Sequence, residues 1–367
     1  MVNSRQLWLT ALCLLGSSGC AGRQKAPEGM IPVAKTITIY SAGGSVVSGV
    51  IDSATLGARR LRLPASVAAI NISQGDQSLK WFTVQAIQEA TKDVTYKLVG
   101  LPSLNPGELK FNYALPDITW TLRLKAEISD SKSVSLQLLA VVNVNASEPY
   151  EKCDVTLVLN NAVSVEKLSR STFKLSSFDL YPHRNVTYNL GNKVTDYSFI
   201  REWNAYAGKD EVHVLLQVKN PFSVDLDQTS SSVEANQIIV ESGTIRNQSG
   251  QGAVVSVPAG IDDTIATFRS VKITEATDKR PLPFNHHMSY DITNRSDQQK
   301  TLRLVTSRVM GNEHRSVYHF KEAPDATPEN TLVWVLKLEP GSTRTLEYDF
   351  DADIKDVDGE NGFEQGG

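Results

Sequence analysis

The histidines are the residues whose type and spacing could most readily support metal chemistry, and two pairs of them lie close in the sequence. His286 and His287 are adjacent, and His314 and His319 are five positions apart in strand-like stretches. Successive side chains of a strand point to opposite faces, so neither pair could share a metal ion. The chain has no His-Glu-x-x-His spacing and no paired-cysteine motif. We therefore predict structural or surface histidines and no metal site.

Acidic residues alternate near the C-terminus, in the stretch DFDADIKDVDGENG. Such spacing is typical of calcium loops, but an EF-hand loop beginning at Asp349 requires glycine where Ile354 stands. The stretch is predicted to be a solvated strand end that leads into an acidic, disordered tail over residues 354–367. The sequence also lacks the Gly-x-Ser-x-Gly and Gly-x-x-x-x-Gly-Lys motifs. It therefore predicts no catalytic residue, no cofactor-binding residue and no cofactor.

The N-terminus carries the pattern of an export signal. Residues 7–15 form an apolar run of nine residues after a single basic side chain, Arg5. A helix needs about 20 apolar residues to cross a bilayer, so this run is too short to span one. A basic start, a short apolar core and small residues after it are typical of a secretory signal.

Cys20 is predicted to carry a lipid. Small residues precede it, as they precede the lipidated cysteine of bacterial lipoproteins, although leucine is usual where Ser17 stands. We predict a signal peptide over residues 1–19, lipidation of Cys20 and a flexible lipoprotein tether over residues 20–34. Secretion after an ordinary cut and an uncut membrane-associated helix are the alternatives.

The rest of the chain is predicted to form β-strands, and these would position any functional side chains. In DITWTLRLKAEIS, apolar side chains occupy alternate positions from Ile118 to Ile128, and polar side chains lie between them. The stretches KTITIY, CDVTLVLN and TRTLEYDF alternate in the same way, whereas SLQLLAVVNVN and EVHVLLQVKN are apolar on both faces and suit central strands. Only WFTVQAIQEATKD offers a brief helical pattern. Turns are predicted at residues 105–107, 258–260 and 340–341 and within SAGGSVVSG.

The predicted fold class is all-β, with tandem antiparallel β-sandwich domains. The organisation predicted is an N-terminal β domain over residues 35–115, a central β-sandwich over residues 116–284 and a C-terminal immunoglobulin-like domain over residues 285–353. The stretch ENTLVWVLKLEPGSTRTLEYDF is predicted to form a β-hairpin that closes the last domain.

Cysteine and charge distributions limit the function classes. Cys153 is the one cysteine beyond Cys20, so lipidation of Cys20 leaves no pair for a disulfide, and we expect Cys153 on the apolar face of its strand. The net charge is −4, but seven acids and one lysine from Asp349 onward contribute −6, so the preceding chain carries about +2. No basic stripe marks a nucleic-acid surface.

Two stretches carry a resemblance to a family. The segment from Ile118 to Asn160 places a tryptophan-bearing strand, an apolar strand ending in asparagine and an aspartate-containing strand in order, with Trp120, Asn143 or Asn145, Tyr150 and Asp154. The second stretch places a strand ending in Asn294 before Pro340, Gly341, Leu346 and Tyr348. The order of these strands and residues, over residues 35–350, resembles that of the bacterial envelope proteins grouped with mucoidy inhibitor A. The chain would be a compact member of that group, without the coiled-coil insertion. The resemblance implies an envelope β protein and no catalytic mechanism.

Two functions follow as hypotheses. The first is a non-catalytic envelope lipoprotein, anchored in a bilayer through Cys20, that binds an envelope protein or polysaccharide and no nucleic acid. It would sit in the outer membrane and face the periplasm, with secretion as the alternative. The second is an envelope hydrolase that acts on polysaccharide or peptidoglycan through carboxylates assembled by the fold.

Overall fold

The computed structural model describes a chain of β-strands. The described residues are 33–41, 43–52, 60–64, 66–74, 77–78, 83–89, 93–99, 107–128, 132–161, 169–206, 210–236, 238–245, 250–275, 282–308, 316–328 and 330–353. Within these ranges the secondary-structure elements are strands and none is a helix, so the predicted all-β class is confirmed. No helix in the described part of the chain could cross a membrane.

The first eight strands are β1 (Val33–Tyr40), β2 (Ser45–Asp52), β3 (Arg60–Pro64), β4 (Ala69–Gln74), β5 (Gln77–Ser78), β6 (Thr83–Glu89), β7 (Asp93–Val99) and β8 (Glu108–Leu115). The next nine are β9 (Ile118–Ile128), β10 (Ser133–Val144), β11 (Tyr150–Asn161), β12 (Ser169–Leu180), β13 (Arg184–Asn204), β14 (Val212–Lys219), β15 (Ser230–Ala235), β16 (Ile238–Thr244) and β17 (Val254–Ile261). The last six are β18 (Ile265–Glu275), β19 (Phe284–Asn294), β20 (Lys300–Ser307), β21 (Ser316–Phe320), β22 (Thr331–Leu338) and β23 (Thr343–Ala352).

The strands form four sheets. One has the order β12-β11-β1-β2-β8-β4-β5, and a small one has the order β3-β7-β6. A nine-stranded sheet follows the path β16-β15-β9-β10-β13-β14-β17, with β20 joined to β13 and β22 joined to β20. The fourth has the order β18-β19-β23-β21. Most pairs are antiparallel, as predicted, but β1 with β11, β9 with β15 and β13 with β20 are parallel, and each of these three pairs has the long connection that parallel strands need.

The chain divides into two compact units. One comprises residues 1–33 and 49–112, and the other comprises residues 34–48 and 113–367. The prediction of three β domains, the last one immunoglobulin-like, stays a prediction.

The alternation of side chains in β9 and β10 follows the sequence pattern. Trp120, Leu124 and Ala126 are fully buried, while Arg123 between them is exposed. β10 pairs with β9 on one side and β13 on the other, so its predicted central place is confirmed. Period-two burial is what one face packed against another layer requires.

Strand β13 is long because it serves two sets of partners. Its first part, from Arg184 to Asp196, pairs with β10, and its last part, from Tyr197 to Trp203, pairs with β14. Four residues at its end also pair in parallel with β20. One continuous strand therefore carries the nine-stranded sheet from the middle of the chain to its C-terminal part.

The C-terminal core lies between two layers. Buried side chains of β19 and β23 form one cluster with those of β20, β22 and the end of β13. Trp334 stacks on Tyr348 with ring centroids 5.5 Å apart, and Trp203 meets Tyr290 edge to face at 5.7 Å. These aromatic contacts fill the space between the layers.

The predicted C-terminal hairpin is wrong, although the buried faces predicted for its strands are right. β22 pairs with β20, whereas β23 pairs with β19 and β21, so the Pro340–Gly341 connection crosses between two sheets. Leu336 and Leu346, on the two strands, are 0% and 1% exposed. Both strands must cover the same core, and they do so from opposite layers.

Two further local predictions are corrected and one is confirmed. The stretch with a helical pattern contains strand β6, which pairs with β7, because strand pairing overrides weak local propensity. Residues Pro258 to Gly260 lie inside β17 at a register shift, and such a bulge accepts both proline and a positive φ. The predicted turn in SAGGSVVSG joins β1 and β2, where Tyr40 N–H donates to the Gly44 carbonyl at 3.0 Å.

Candidate functional site

A surface cavity of about 570 Å³ lies where four strands of the nine-stranded sheet meet, and it is open to solvent. Most of its lining is apolar, and two side chains in it are charged. The lining residues are Phe199 and Arg201 of β13, Val214 of β14, Val240 and Glu241 of β16, and Ala259, Gly260 and Ile261 of β17. Phe199, Val240 and Ile261 are 43%, 52% and 55% exposed, so the apolar lining faces solvent.

Arg201 is held in this cavity by a buried carboxylate. Its Nε donates to Asp262 Oδ2 at 2.5 Å, and Lys300 Nζ donates to the same oxygen at 2.7 Å. Thr264 donates from its hydroxyl to Asp262 Oδ1 at 2.6 Å, and Lys300 also donates to that hydroxyl oxygen. The side chains of Asp262 and Lys300 are 8% and 9% exposed. Three segments of the chain, at β13, after β17 and at β20, are thereby tied together.

The electrostatics of this cluster favour the ionised carboxylate. Burial by itself would raise the pKa of Asp262, but the hydrogen bonds from Lys300, Thr264 and Arg201 outweigh it and hold the pKa well below its usual range. Two cations share one anion, so the cluster carries one excess positive charge. The Arg201 side chain, 30% exposed, presents that charge at the cavity.

The cavity is flanked by an edge strand with an unusual surface. β16 ends the strand path of its sheet and pairs with β15, and Ile238, Ile239 and Val240 at its start are 69%, 63% and 52% exposed. Ser242 N–H, on the same strand, donates to the Glu241 carboxylate at 3.2 Å. A backbone donor bonded to a neighbouring side chain is not engaged in the ladder with β15, so it lies on the free edge of β16.

β16 approaches β17 beyond the cavity. A Cβ added at Gly243 would come within 2.7 Å of Cγ in the Pro258 ring, so only glycine permits this contact. The cavity opens next to it, between Val240 and Ile261. The two ends of the strand path therefore lie close together, with a tight contact at Gly243 and Pro258, and the groove lies beside that contact.

A second cavity, of about 340 Å³, is lined by Asp196, Tyr197, Lys219 and neighbouring residues of β13, β14 and β17. It contains one carboxylate, and the larger cavity also contains one, Glu241. Among the described lining residues, neither of these two cavities therefore brings together the pair of carboxyl groups that glycoside hydrolysis uses.

A polar surface on the C-terminal sheet is the second candidate region. Glu347, Asp349 and Asp351 alternate along β23, and histidines of the flanking strands bond two of them. His287 Nδ1 lies 3.0 Å from Asp349 Oδ1, and His319 Nε2 lies 3.1 Å from Asp351 Oδ2. Asp351 is 1% exposed, whereas the His319 side chain is 51% exposed. We call these five residues the histidine–carboxylate ladder.

Lys321 closes one end of the ladder. Its Nζ donates to Glu347 Oε2 at 2.6 Å, and this hydrogen bond lowers the pKa of Glu347 and raises that of Lys321. In the described residues no group of three or more His, Cys, Asp or Glu side chains is arranged to hold a metal ion. The ladder can bind polar groups.

His286 and His287, which were predicted to face apart, do so. His286 is buried and stacks on Phe350 with ring centroids 4.6 Å apart, while His287 lies on the other face beside Asp349. His319 bonds Asp351 on the ladder face. His314 lies outside the described residues.

Cys153 is buried with Val155 and Leu157 on one face of β11, as predicted. Its thiol lies 3.7 Å from the Ala34 carbonyl oxygen, and burial raises its pKa. A buried, protonated thiol is chemically inert. Cys20, the predicted lipidation site, lies outside the described residues.

The residues of the family resemblance occupy structural positions. Asn294 ends β19, and its Nδ2 donates to the carbonyls of Gln298 and Leu338 at 2.8 and 3.2 Å. Gly341 has a φ of 63°, in the region that favours glycine. These contacts join strand ends and turns, so they explain a fold pattern and assign no chemistry.

Sequence reasoning missed the cluster of Arg201, Asp262 and Lys300. These residues are separated by 61 and 38 positions, and no local spacing connects them. The acidic half of the ladder could have been predicted from the sequence. Acidic residues alternate in DFDADI, and a strand places alternate residues on one face. Its histidine partners come from other strands and had no such signal.

Comparison of the chain with protein-family models and with curated proteins finds no match.

Proposed function

We propose that the chain is a non-catalytic interaction module of the bacterial cell envelope, anchored in the outer membrane through a lipid on Cys20 and facing the periplasm. Secretion without lipid is the alternative location. The proposal includes membership of the family grouped with mucoidy inhibitor A, on the sequence resemblance. The module binds an envelope protein or polysaccharide with the surfaces of its sheets.

The open cavity at Arg201 is the observation that carries this proposal. Clustered exposed apolar side chains next to an anchored charged group are typical of interaction sites on soluble proteins. Phe199, Val240 and Ile261 supply the apolar part and Arg201 supplies the charge. A hydrolytic site would need a second carboxylate beside Glu241, and among the described residues that line the cavity Glu241 is the one carboxylate.

Labelling with a fatty-acid analogue in bacterial cells tests the anchor. We expect the wild-type chain to take up label and to fractionate with outer membranes, and Cys20→Ser to do neither. Cys153→Ser is the matched control and should label like the wild type, because its buried thiol is no lipid acceptor. Equal labelling of wild type and Cys20→Ser, or of neither, would contradict the anchor.

A second candidate, hydrolysis of envelope polymers, is favoured by the ladder, where a histidine bonds each of two carboxylates on one strand. The module proposal expects no release of reducing ends or peptides when purified protein is incubated with peptidoglycan or envelope polysaccharide. Release that is lost in Asp349→Asn and kept in Asp263→Asn, a change at an exposed carboxylate outside the ladder, would favour the hydrolase instead.

A further inference from the structure

We propose that the groove between β16 and β17 binds an extended, carboxylate-bearing peptide segment of a partner protein, which adds as a strand along the free edge of β16. This inference rests on the proposed function as an interaction module and names the chemistry of its partner. Strand addition uses backbone hydrogen bonds for affinity and alternate side-chain contacts for specificity. The groove provides both kinds of contact.

Among the described strands β16 pairs with β15 alone, so its other edge is open to pairing. Natural proteins usually protect an edge strand with lysine, proline or a covering segment. β16 reads IIVESGT, without lysine or proline, and begins with three exposed β-branched residues. A register shift next to Glu234 makes Val240 a bulged residue, and Val240 lines the groove. Bulges commonly re-aim a side chain next to a functional site.

One backbone N–H group on this edge makes a hydrogen bond that an incoming strand could replace. Ser242 N–H is bonded to the carboxylate of its own neighbour, Glu241, at 3.2 Å. An incoming strand can offer a backbone carbonyl in place of that carboxylate. Glu241 is then released toward the groove, where it repels acidic side chains placed beside it.

Arg201 is the group that selects the occupant through a direct contact, since the lining also holds Glu241 and has no net charge of its own. Arg201 donates from Nε to Asp262 and lines the groove, and among the described residues no other acceptor is bonded to its guanidinium, so we expect its terminal nitrogens to be available to an acceptor in the groove. With Lys300, the cluster keeps one excess positive charge. A carboxylate fits a guanidinium fork with two parallel hydrogen bonds. Apolar side chains on either side of that carboxylate would cover Phe199 and Ile261.

Direct binding of synthetic peptides tests the inference. The probe is a fluorescein-labelled nonapeptide of alternating valine and threonine with one central glutamate, and the protein is the purified full chain. We expect saturable binding by fluorescence anisotropy. Replacing the glutamate by glutamine should weaken binding about tenfold, since it removes a charge-assisted pair, and lysine should weaken it further. Methylation of alternate backbone nitrogens on the pairing side should abolish binding.

Variants of the protein separate the groove from the rest of the surface. Val240→Asp should weaken binding of the glutamate peptide about tenfold or more, because it places a negative charge beside the carboxylate. Val254→Asp is the matched control, since Val254 is also 52% exposed and lies outside the groove; it should bind like the wild type. Glu241→Gln should tighten binding several-fold, a gain that misfolding cannot produce.

Three results would overturn the inference. The first is equal affinity for the glutamate and lysine peptides, and the second is unchanged peptide binding by Val240→Asp. The third is a concentration-dependent dimer in sedimentation that Val240→Asp abolishes, because a second copy of the chain would then occupy the groove. Fatty-acid labelling of Cys20 is independent of these variants. Failed peptide binding with intact labelling removes this inference alone, whereas failed labelling removes the proposed membrane anchor whatever the peptides do.

Discussion

At the scale of single residues, the ion cluster around Asp262 affects both the cavity and the stability of the fold. The Asp262 carboxylate receives Lys300, Arg201 and Thr264 in a site that is almost closed to solvent. Breaking a buried ion pair by removing one partner is strongly destabilising, because the other charges stay buried and uncompensated. The cluster therefore positions Arg201 in the cavity and also stabilises the fold that carries the cavity.

We expect Asp262→Asn to reduce the free energy of unfolding by about 3 to 5 kcal/mol at pH 7. Asp263→Asn, a change at the exposed neighbouring carboxylate, should stay within about 0.5 kcal/mol. Because the pKa of Asp262 is lowered by folding, its contribution is present above the ordinary aspartate pKa of about 4 and is lost as the pH falls below it. Urea unfolding at pH 7, 5 and 3 checks this, since the difference between wild type and Asp262→Asn should shrink toward pH 3. A difference that stays constant would contradict it.

At the scale of elements, β22 shows how one strand serves two environments. Trp334 is 0% exposed, stacks on Tyr348 and donates from Nε1 to the Glu322 carbonyl at 3.1 Å. The next residue, Val335, is 51% exposed. β22 and β23 cover the core from opposite sheets, so the tryptophan lies between the layers and its loss would open space that neither sheet can easily fill.

Trp334→Ala should lower the free energy of unfolding by about 3 to 5 kcal/mol. Val335→Thr, which keeps a β-branched side chain at the exposed neighbouring position, should change it by less than about 0.5 kcal/mol. Chemical denaturation followed by circular dichroism measures both. If Trp334→Ala unfolds at the wild-type denaturant concentration, Trp334 is not a core residue.

At the scale of the whole molecule, the end of β23 supplies the last buried side chains of the C-terminal core among the described residues. Tyr348, Phe350 and Ala352 are 2%, 3% and 0% exposed, and β23 ends at Ala352. Two sheets close over these side chains, so the stability of this part depends on the chain up to that point.

Ending the chain after Ile354 should leave the melting temperature unchanged within about 1 °C, because no core side chain described here is lost. Ending it after Glu347 should abolish cooperative melting of the C-terminal part, since it removes four buried residues and the pairing of β23 with β21. Differential scanning calorimetry compares the two. A shorter chain that melts like the longer one would show that the end of β23 adds nothing to the core.

The sequence by itself determined the class of the fold and which side of many strands is buried. The alternation from Ile118 to Ile128, the opposed faces of His286 and His287 and the buried face of Cys153 all follow from a period of two residues. That period is a local property of the extended backbone, because successive side chains of a strand point to opposite faces. Such properties can therefore be predicted without knowing which strands are neighbours.

Only the tertiary structure decided which strands pair and which charges meet. The segment around Pro340 and Gly341 was compatible with a hairpin, and β22 and β23 instead joined different sheets. Arg201, Asp262 and Lys300 met because β13, β17 and β20 lie together in one sheet. Strand order depends on which apolar faces pack best across the whole chain. Those contacts join residues far apart in sequence, so the spacing of neighbouring residues does not predict them.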